Sequence, residues 1–342
     1  MPPVDVVVTS FLEPELIATI ARVDDRLRVL YDPSFVPVPR YASDHDGTRP
    51  ELDDAAQRTW EEWLGRAQVA FDFDWQDPAA LPTRAPQLEW IQATSAGIGS
   101  FVTRTGLDRT DLLLTTAAGV HGRPLAEFAL TGVLHFVKGV PHLRAQQQAH
   151  RWQRYTTRSA HGLRAVVIGL GSLGRSTCSL LGGVGLRVTG VGRPGRSYEV
   201  PAAESLVSTE HLDAALTGAD VVVLACPLTE ETKGILSRSR LELLAPGAIV
   251  VNIARGPCLD EDALLDGLVA GRLGGAALDV FGVEPLPADS PLWDRDDVLV
   301  SPHSASTLAS ENAAIVELFC DNLRAWLDGR PLTNVYRREL GY

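Results

Sequence analysis

The sequence predicts an α/β chain folded as two doubly wound parallel-sheet domains, and three observations carry that prediction. The chain has 342 residues, more than a single hydrophobic core ordinarily organises. Short runs rich in Val, Leu and Ile alternate with stretches of helical period almost throughout, the pattern of parallel βα units. The alternation stops at one long helical stretch and a polar arm, then restarts at Ala165.

In the first series, Val4–Thr9, Leu27–Tyr31, Val69–Phe73, Leu88–Ala93 and Leu112–Thr116 read as buried strands. A helix is expected over Leu52–Arg66. A longer one is expected from about Pro124 to about Leu143, with proline in its first turn. Its wide apolar face fits burial within one subunit or packing between domains or subunits. Gln146–Arg158 reads as a polar connecting arm carrying Trp152. In the second series, Ala165–Leu170, Arg187–Val191, Val221–Ala225, Ala248–Ile253, Gly275–Val280 and Val298–Val300 are expected strands. Gly174–Leu181, Leu212–Leu216, Arg238–Leu244 and Glu261–Ala270 are expected helices between them. The last helix, about Ser306–Leu327, has no strand after it and is expected to return to the first domain. The domains are therefore placed at 1–121 with 307–342, and at 122–306.

Composition narrows the function. Hydrophobic residues are 45% and charged residues 22%, as in an ordinary globular protein. The formal net charge of −12 argues against nucleic-acid and anionic-membrane partners, which need a basic face. No run reaches the ~20 apolar residues of a membrane span. No export signal is legible at the N-terminus, so a cytoplasmic location is expected. Cys178, Cys226, Cys258 and Cys320 form no CxxC pair and read as small buried hydrophobes. No metal-ligand cluster is legible, so no metal is expected.

The chemistry begins at Gly169-Leu170-Gly171-Ser172-Leu173-Gly174, a GxGxxG that follows a strand and opens a helix. Gly169 permits the tight turn, Gly171 lets a pyrophosphate approach the backbone, and Gly174 lets helix and strand pack closely. The helix N-terminus offers unpaired N–H groups to phosphates. The pattern predicts a Rossmann-type nicotinamide-dinucleotide site. After the next strand, Arg193 and Arg196 stand where a ribose-binding carboxylate is usual, and a guanidinium pairs with a 2′-phosphate. NADP(H) is therefore expected in preference to NAD(H).

Three later strands end in Arg255, Glu284 and His303. Ligands of open parallel sheets sit beyond the carboxyl ends of strands, so all three are candidates for one crevice. An arginine holds a carboxylate in a two-pronged pair, a histidine exchanges a proton near neutral pH, and a nearby glutamate favours the imidazolium.

These segments resemble the D-isomer-specific 2-hydroxyacid dehydrogenases. The likeness is carried by GLGSLG at 169–174, LACPLTEET at 224–232, VVNIARGPCLDEDAL at 250–264, ALDVFGVEPLP at 277–287 and SPHSAS at 301–306. WIQATSAG at 90–97 and TTAAGVHGRPLAEFAL at 115–130 extend it into the first domain. The resemblance implies a flavodoxin-like substrate domain beside the dinucleotide domain, with the active site in the cleft between them. It implies that Arg255 binds the substrate's carboxylate and carbonyl oxygen, that His303 is the proton donor on the C2 oxygen, and that Glu284 pairs with His303. It places Ser95, Ala96 and Gly97 at the substrate carboxylate, with Trp293 near the cleft. It places Gly169, Gly171, Ser172, Leu173, Gly174, Arg193, Arg196, Cys226, Pro227, Thr229, Ile253, Ala254, Arg255, Asp279, His303 and Ser304 around the cofactor. It implies a homodimer through the dinucleotide domain, using the helix near 124–143 and the arm with Trp152. The arginines after the second strand resemble the NADPH-preferring glyoxylate and hydroxypyruvate reductases, so a small 2-oxo acid is the expected substrate. One departure stands out: Gly99 occupies a position where the family often has Asp. The alternative function is a dinucleotide-sensing regulatory protein of the same fold.

Overall fold

A computed structural model of the chain describes residues 3–341; positions 1, 2 and 342, the outer ends of the expected first domain, lie outside the described residues. The chain divides into two compact units. One runs to Val120 and resumes at Thr307, and the other is His121–Ser306.

The first unit holds five parallel strands: β1 (Val4–Val8), β2 (Leu27–Leu30), β3 (Val69–Phe71), β4 (Trp90–Gln92) and β5 (Leu113–Thr115). Their order in the sheet is β2-β1-β3-β4-β5. That is the flavodoxin-like order, with its switch point between β1 and β3. The final helix, Glu311–Leu327, belongs to this unit and lays Ile315, Val316, Phe319 and Leu323 against Val6, Val8 and Phe71.

The second unit holds seven parallel strands: β6 (Arg164–Ile168), β7 (Arg187–Gly192), β8 (Ser205–Ser208), β9 (Val221–Leu224), β10 (Ala248–Asn252), β11 (Leu273–Leu278) and β12 (Val298–Val300). The order is β12-β11-β10-β9-β6-β7-β8, so the direction of winding reverses between β6 and β9. Val221, Val222, Val223 and Leu224 are all fully buried, as befits a strand covered on both faces. Each such side chain contributes about 1.5–3 kcal/mol by leaving water.

The structure departs from the sequence expectation in several places; the last helix begins at Glu311 rather than about Ser306, and the helix from Arg238 ends at Leu241 rather than Leu244. The helix expected over Pro124–Leu143 is two helices, Gly122–Val137 and Val140–Gln148, broken at Gly139 with φ +62°. Its small face is buried inside the unit, where a Cβ on Gly132 would run into Ala277. The first three residues of the expected polar arm are helical, and only 149–158 lack regular structure. The sequence gives no sign of edge strand β8, whose residues are exposed or half-buried, with only Leu206 and Val207 to mark it. The short helices Pro14–Ala21, Leu81–Arg84 and Gly99–Thr105 were also unpredicted. Among the described residues no helix is long and apolar enough to cross a membrane.

Candidate active site

The glycine turn sits at the switch point of the second sheet. Gly169 follows β6 with φ +105°, in the left-handed region that glycine tolerates. A Cβ there would stand 2.6 Å from the carbonyl oxygen of Ala225, just past β9. A Cβ on Gly174 would run into the carbonyl oxygen of Gly169, so the helix Ser172–Gly183 seats directly on the turn. Gly171 differs: a Cβ there would meet nothing within 4 Å. Its missing side chain leaves open space beside a helix N-terminus that carries no acidic residue in its first turn. The three glycines therefore divide as a phosphate-binding turn requires, two for packing and one for close approach.

After β7, Arg193 is half-buried and Arg196 exposed. The ring of Tyr198 organises them. Its hydroxyl accepts the Arg193 amide at 3.1 Å, and the Arg196 guanidinium lies 5.5 Å from its centroid. Tyr198 fits because Gly192 has no Cβ to strike it. The segment carries two arginines and no carboxylate before Glu199.

Beyond β9, Cys226 is buried, Pro227 exposed and Thr229 half-buried. Thr232 ties this loop together. Its hydroxyl donates to the Pro227 carbonyl at 2.6 Å and accepts the Thr229 amide at 2.7 Å. Beyond β10, Ile253 and Ala254 are buried, and the fully buried Asn252 shapes the turn. Asn252 Oδ1 accepts the Ala254 amide at 3.1 Å, and Nδ2 donates to the Arg255 carbonyl at 3.2 Å. The Arg255 guanidinium donates to the Ala254 carbonyl at 2.7 Å. Burial pulls its pKa down, against the charges of Glu284, Cys258 and Asp279. A Cβ on Gly256 would run into the carbonyl of Phe281, so this glycine lets the Arg255 turn lie against the loop that carries Glu284.

Glu284 and His303 meet: Nδ1 of His303 is 2.8 Å from Oε2 of Glu284. The other carboxylate oxygen accepts the Phe281 amide at 2.9 Å. Burial pushes the Glu284 pKa upward. The hydrogen bonds from His303 and Phe281, with the charges of His303 and Arg255, outweigh it and hold the carboxyl below its ordinary value. Glu284 therefore stays ionised and orients the ring, leaving Nε2 to face outward from the pair.

Asp279 anchors the histidine. One of its oxygens accepts the Ser301 hydroxyl at 2.6 Å and the amides of Ser304 and Ala305, each at 3.0 Å. Its own carbonyl accepts the His303 amide at 2.9 Å. The grip matters because His303 has φ +54°, a conformation that costs a non-glycine residue of order 1 kcal/mol. Trp293, 47% exposed, donates its indole N–H to the Pro287 carbonyl at 2.9 Å, within its own loop.

Ser95, Ala96 and Gly97 belong to the first unit, where they follow the carboxyl end of β4. Ser95 and Gly97 are exposed and Ala96 half-buried. The Ser95 carbonyl accepts the Ala117 amide at 3.1 Å. Gly99 has a local reason: a Cβ there would run into the carbonyl oxygen of Gly341. The C-terminal segment excludes a side chain at that position.

Sequence reasoning missed Asn252, Gly256, Thr232 and Tyr198. The first carried a signal, a polar residue closing an otherwise apolar strand. The others act through contacts that spacing does not reveal.

Residues 130–305 match the family model described as D-isomer specific 2-hydroxyacid dehydrogenase, NAD binding domain. Glyoxylate/hydroxypyruvate reductase A of Enterobacter sp. (strain 638) is 29% identical over 275 residues, covering 78% of this chain and 86% of that one. A D-isomer specific 2-hydroxyacid dehydrogenase from Xanthobacter autotrophicus Py2, solved with NADPH and MES, is 30% identical with a TM-score of 0.78, and the match covers 100% of both chains. An NADPH-dependent glyoxylate/hydroxypyruvate reductase from Sinorhizobium meliloti, solved with NADP and sulfate, is 25% identical with a TM-score of 0.78 over 99% of this chain and 100% of that one.

Proposed function

The chain belongs to the D-isomer specific 2-hydroxyacid dehydrogenase family, oxidoreductases acting on CH–OH groups with NAD(P), and from that premise we propose that it reduces a small 2-oxo acid of the glyoxylate or hydroxypyruvate type to a D-2-hydroxy acid, with NADPH preferred. The observation that carries the reading is the 2.8 Å His303–Glu284 pair on the same sheet edge as the glycine turn.

Gly169 to Gly174 would hold the pyrophosphate, and Arg193 with Arg196 the 2′-phosphate. Cys226, Pro227, Thr229, Ile253, Ala254, Asp279 and Ser304 line the remaining edge. Bound there, the nicotinamide supplies hydride to the substrate's C2. Arg255 would pair with the substrate carboxylate and polarise the carbonyl, and the resemblance to the family assigns carboxylate contacts to the backbone at Ser95, Ala96 and Gly97. His303, its ring oriented through Nδ1 by ionised Glu284, would donate a proton from Nε2 to the C2 oxygen as negative charge develops there. The strand-end grip of Asp279 keeps that nitrogen aimed. Residues 1–121 with 307–342 form the substrate domain, and 122–306 the dinucleotide domain.

The test is NADPH consumption with glyoxylate, hydroxypyruvate, pyruvate and a phenyl-substituted 2-oxo acid. The two small acids are expected to turn over fastest. NADPH binding with no turnover of any of them overturns the reading in favour of dinucleotide sensing.

The same reading includes a homodimer. Trp152 is 99% exposed on an arm without regular structure, an unusual cost for a tryptophan facing water. Sedimentation of the wild type as a dimer and of Trp152→Ala with a shifted equilibrium is expected. A monomeric wild type overturns it.

A further inference from the structure

The loop after β2 is a closed device. Val38 and Thr48 exchange backbone hydrogen bonds of 2.9 and 2.8 Å and so pinch its two ends together. Inside, Asp44 is the organising centre. Its carboxylate accepts the Arg40 guanidinium at 2.7 and 3.0 Å, the Arg40 amide at 3.0 Å and the Gly47 amide at 3.1 Å. The Ser43 hydroxyl fastens the loop to the Leu308 carbonyl at 2.9 Å.

This construction turns His45 inward. Both ring nitrogens are shut off from water, and Nε2 stands 3.6 Å from Oε1 of Glu311, at the start of the last helix. Asp72, which follows β3, is the second carboxylate within electrostatic reach, and Asp44 on the loop itself is the third. Asp72 is an unusual residue in its own right, with φ +69°. Its amide donates to the Gln92 carbonyl at 2.8 Å, and its Oδ2 accepts the Thr94 hydroxyl at 2.9 Å. Thr94 directly precedes Ser95, Ala96 and Gly97. The last helix is therefore linked to that backbone by the 3.6 Å approach of Glu311 to His45, the electrostatic attraction of His45 and Asp72, and the Asp72–Thr94 hydrogen bond. No charge partner in the mechanism above uses any of these four.

We propose that His45 is a positioning residue for the substrate: as an imidazolium between Glu311 and Asp72 it steadies Asp72, and through the Asp72–Thr94 hydrogen bond it fixes the Ser95–Gly97 backbone. The proposal rests on the reading of that backbone as the carboxylate-holding segment. Burial pushes the Asp72 carboxyl upward and the His45 charge opposes that, so a neutral ring would leave Asp72 to take up a proton and weaken its hold on Thr94. Burial depresses the His45 pKa, but the Glu311 contact and the charges of Asp72, Glu311 and Asp44 raise it overall, above the ordinary 6.5. The sign follows. A raised folded pKa means the brace is complete below the ordinary value and is lost as pH rises through the folded one.

The test uses the full chain with His45→Gln and Glu311→Gln, the second keeping shape while removing one charge. Amide hydrogen exchange is followed at residues 94–98 from about pH 6 to about pH 9, corrected for intrinsic base catalysis, across the range where a histidine titrates. In the wild type, protection of these amides is expected to fall about tenfold with rising pH. Glu311→Gln should move that fall to lower pH. His45→Gln should show weak protection that does not change with pH. In steady-state kinetics His45→Gln should raise KM for the 2-oxo acid about tenfold, with kcat little changed and NADPH affinity intact. Wild-type protection in His45→Gln at every pH, with only a lowered Tm, overturns the proposal. So does altered exchange with no change in KM. If the wild type turns over no 2-oxo acid, the substrate reading fails, and the exchange arm still decides whether His45 steadies the 94–98 segment.

Discussion

The carboxyl edges of the two sheets are held by different physics. In the second unit, shape does most of the work. Glycines at 169, 174 and 256 allow backbone to lie against backbone, and one carboxylate, Asp279, collects a hydroxyl and two amides to fix the His303 loop. In the first unit, charge does it. Arg40, Asp44, His45, Asp72 and Glu311 come together from three separate parts of the chain to steady one strand end. A shape-held edge should lose function abruptly with a single methyl and little with pH. A charge-held edge should do the reverse.

The largest effect tests whether the second edge is catalytic at all. His303→Ala should lower kcat about 10³-fold, roughly 4 kcal/mol of barrier, while NADPH still binds by fluorescence titration. Unchanged steady-state turnover would remove His303 as the proton donor. Next comes the contrast within the glycine turn. Gly174→Ala forces a methyl onto the Gly169 carbonyl and should cost about 3 kcal/mol in urea unfolding. Gly171→Ala meets only open space and should unfold like the wild type while binding NADPH more weakly. If Gly171→Ala binds NADPH normally, the pyrophosphate does not lie over that position. Third, Arg193→Asp should weaken NADPH about thirtyfold relative to NADH, near 2 kcal/mol. An unchanged ratio of the two dissociation constants would dismiss the 2′-phosphate reading.

The same contrast explains what was legible in the sequence. The second edge could be read because its parts are contiguous: GLGSLG, ARG and SPHS each place turn chemistry and a side chain within a few residues, and β-strands rich in Val announce where each begins. The two parallel sheets followed from the same alternation. The first edge could not be read. His45 lies in a stretch with no period, and Asp72 and Glu311 look like ordinary surface carboxylates in the sequence. Only the strand order β1-β3-β4 brings Asp72 beside Thr94, and only the return of the last helix brings Glu311 to His45. Edge strand β8 was missed for a related reason, since an exposed strand needs no apolar run. The helix break at Gly139 was missed because the apolar spacing runs across it, and left-handed backbone at one glycine ended what periodicity alone would continue.

The smallest expected effect bears most directly on whether charge governs the first edge. Asp44 is held well below the ordinary 3.8, first by the Arg40 guanidinium, with burial opposing and the amides of Arg40 and Gly47 assisting. A depressed carboxyl contributes stability that is complete above its unfolded pKa and disappears as pH falls through the folded one. Asp44→Asn retains the volume but loses the ionic acceptor. Its Tm should therefore lie below that of the wild type by a constant gap above pH 3.8, and the gap should close as the pH drops further. NADPH affinity, which depends on the other edge, should not move. A gap independent of pH down to acid unfolding would mean that Asp44 acts through the shape of its loop. The first edge would then be held as the second is, and the pH dependence assigned to His45 would have to come from the Glu311 and Asp72 contacts without help from the loop that carries it.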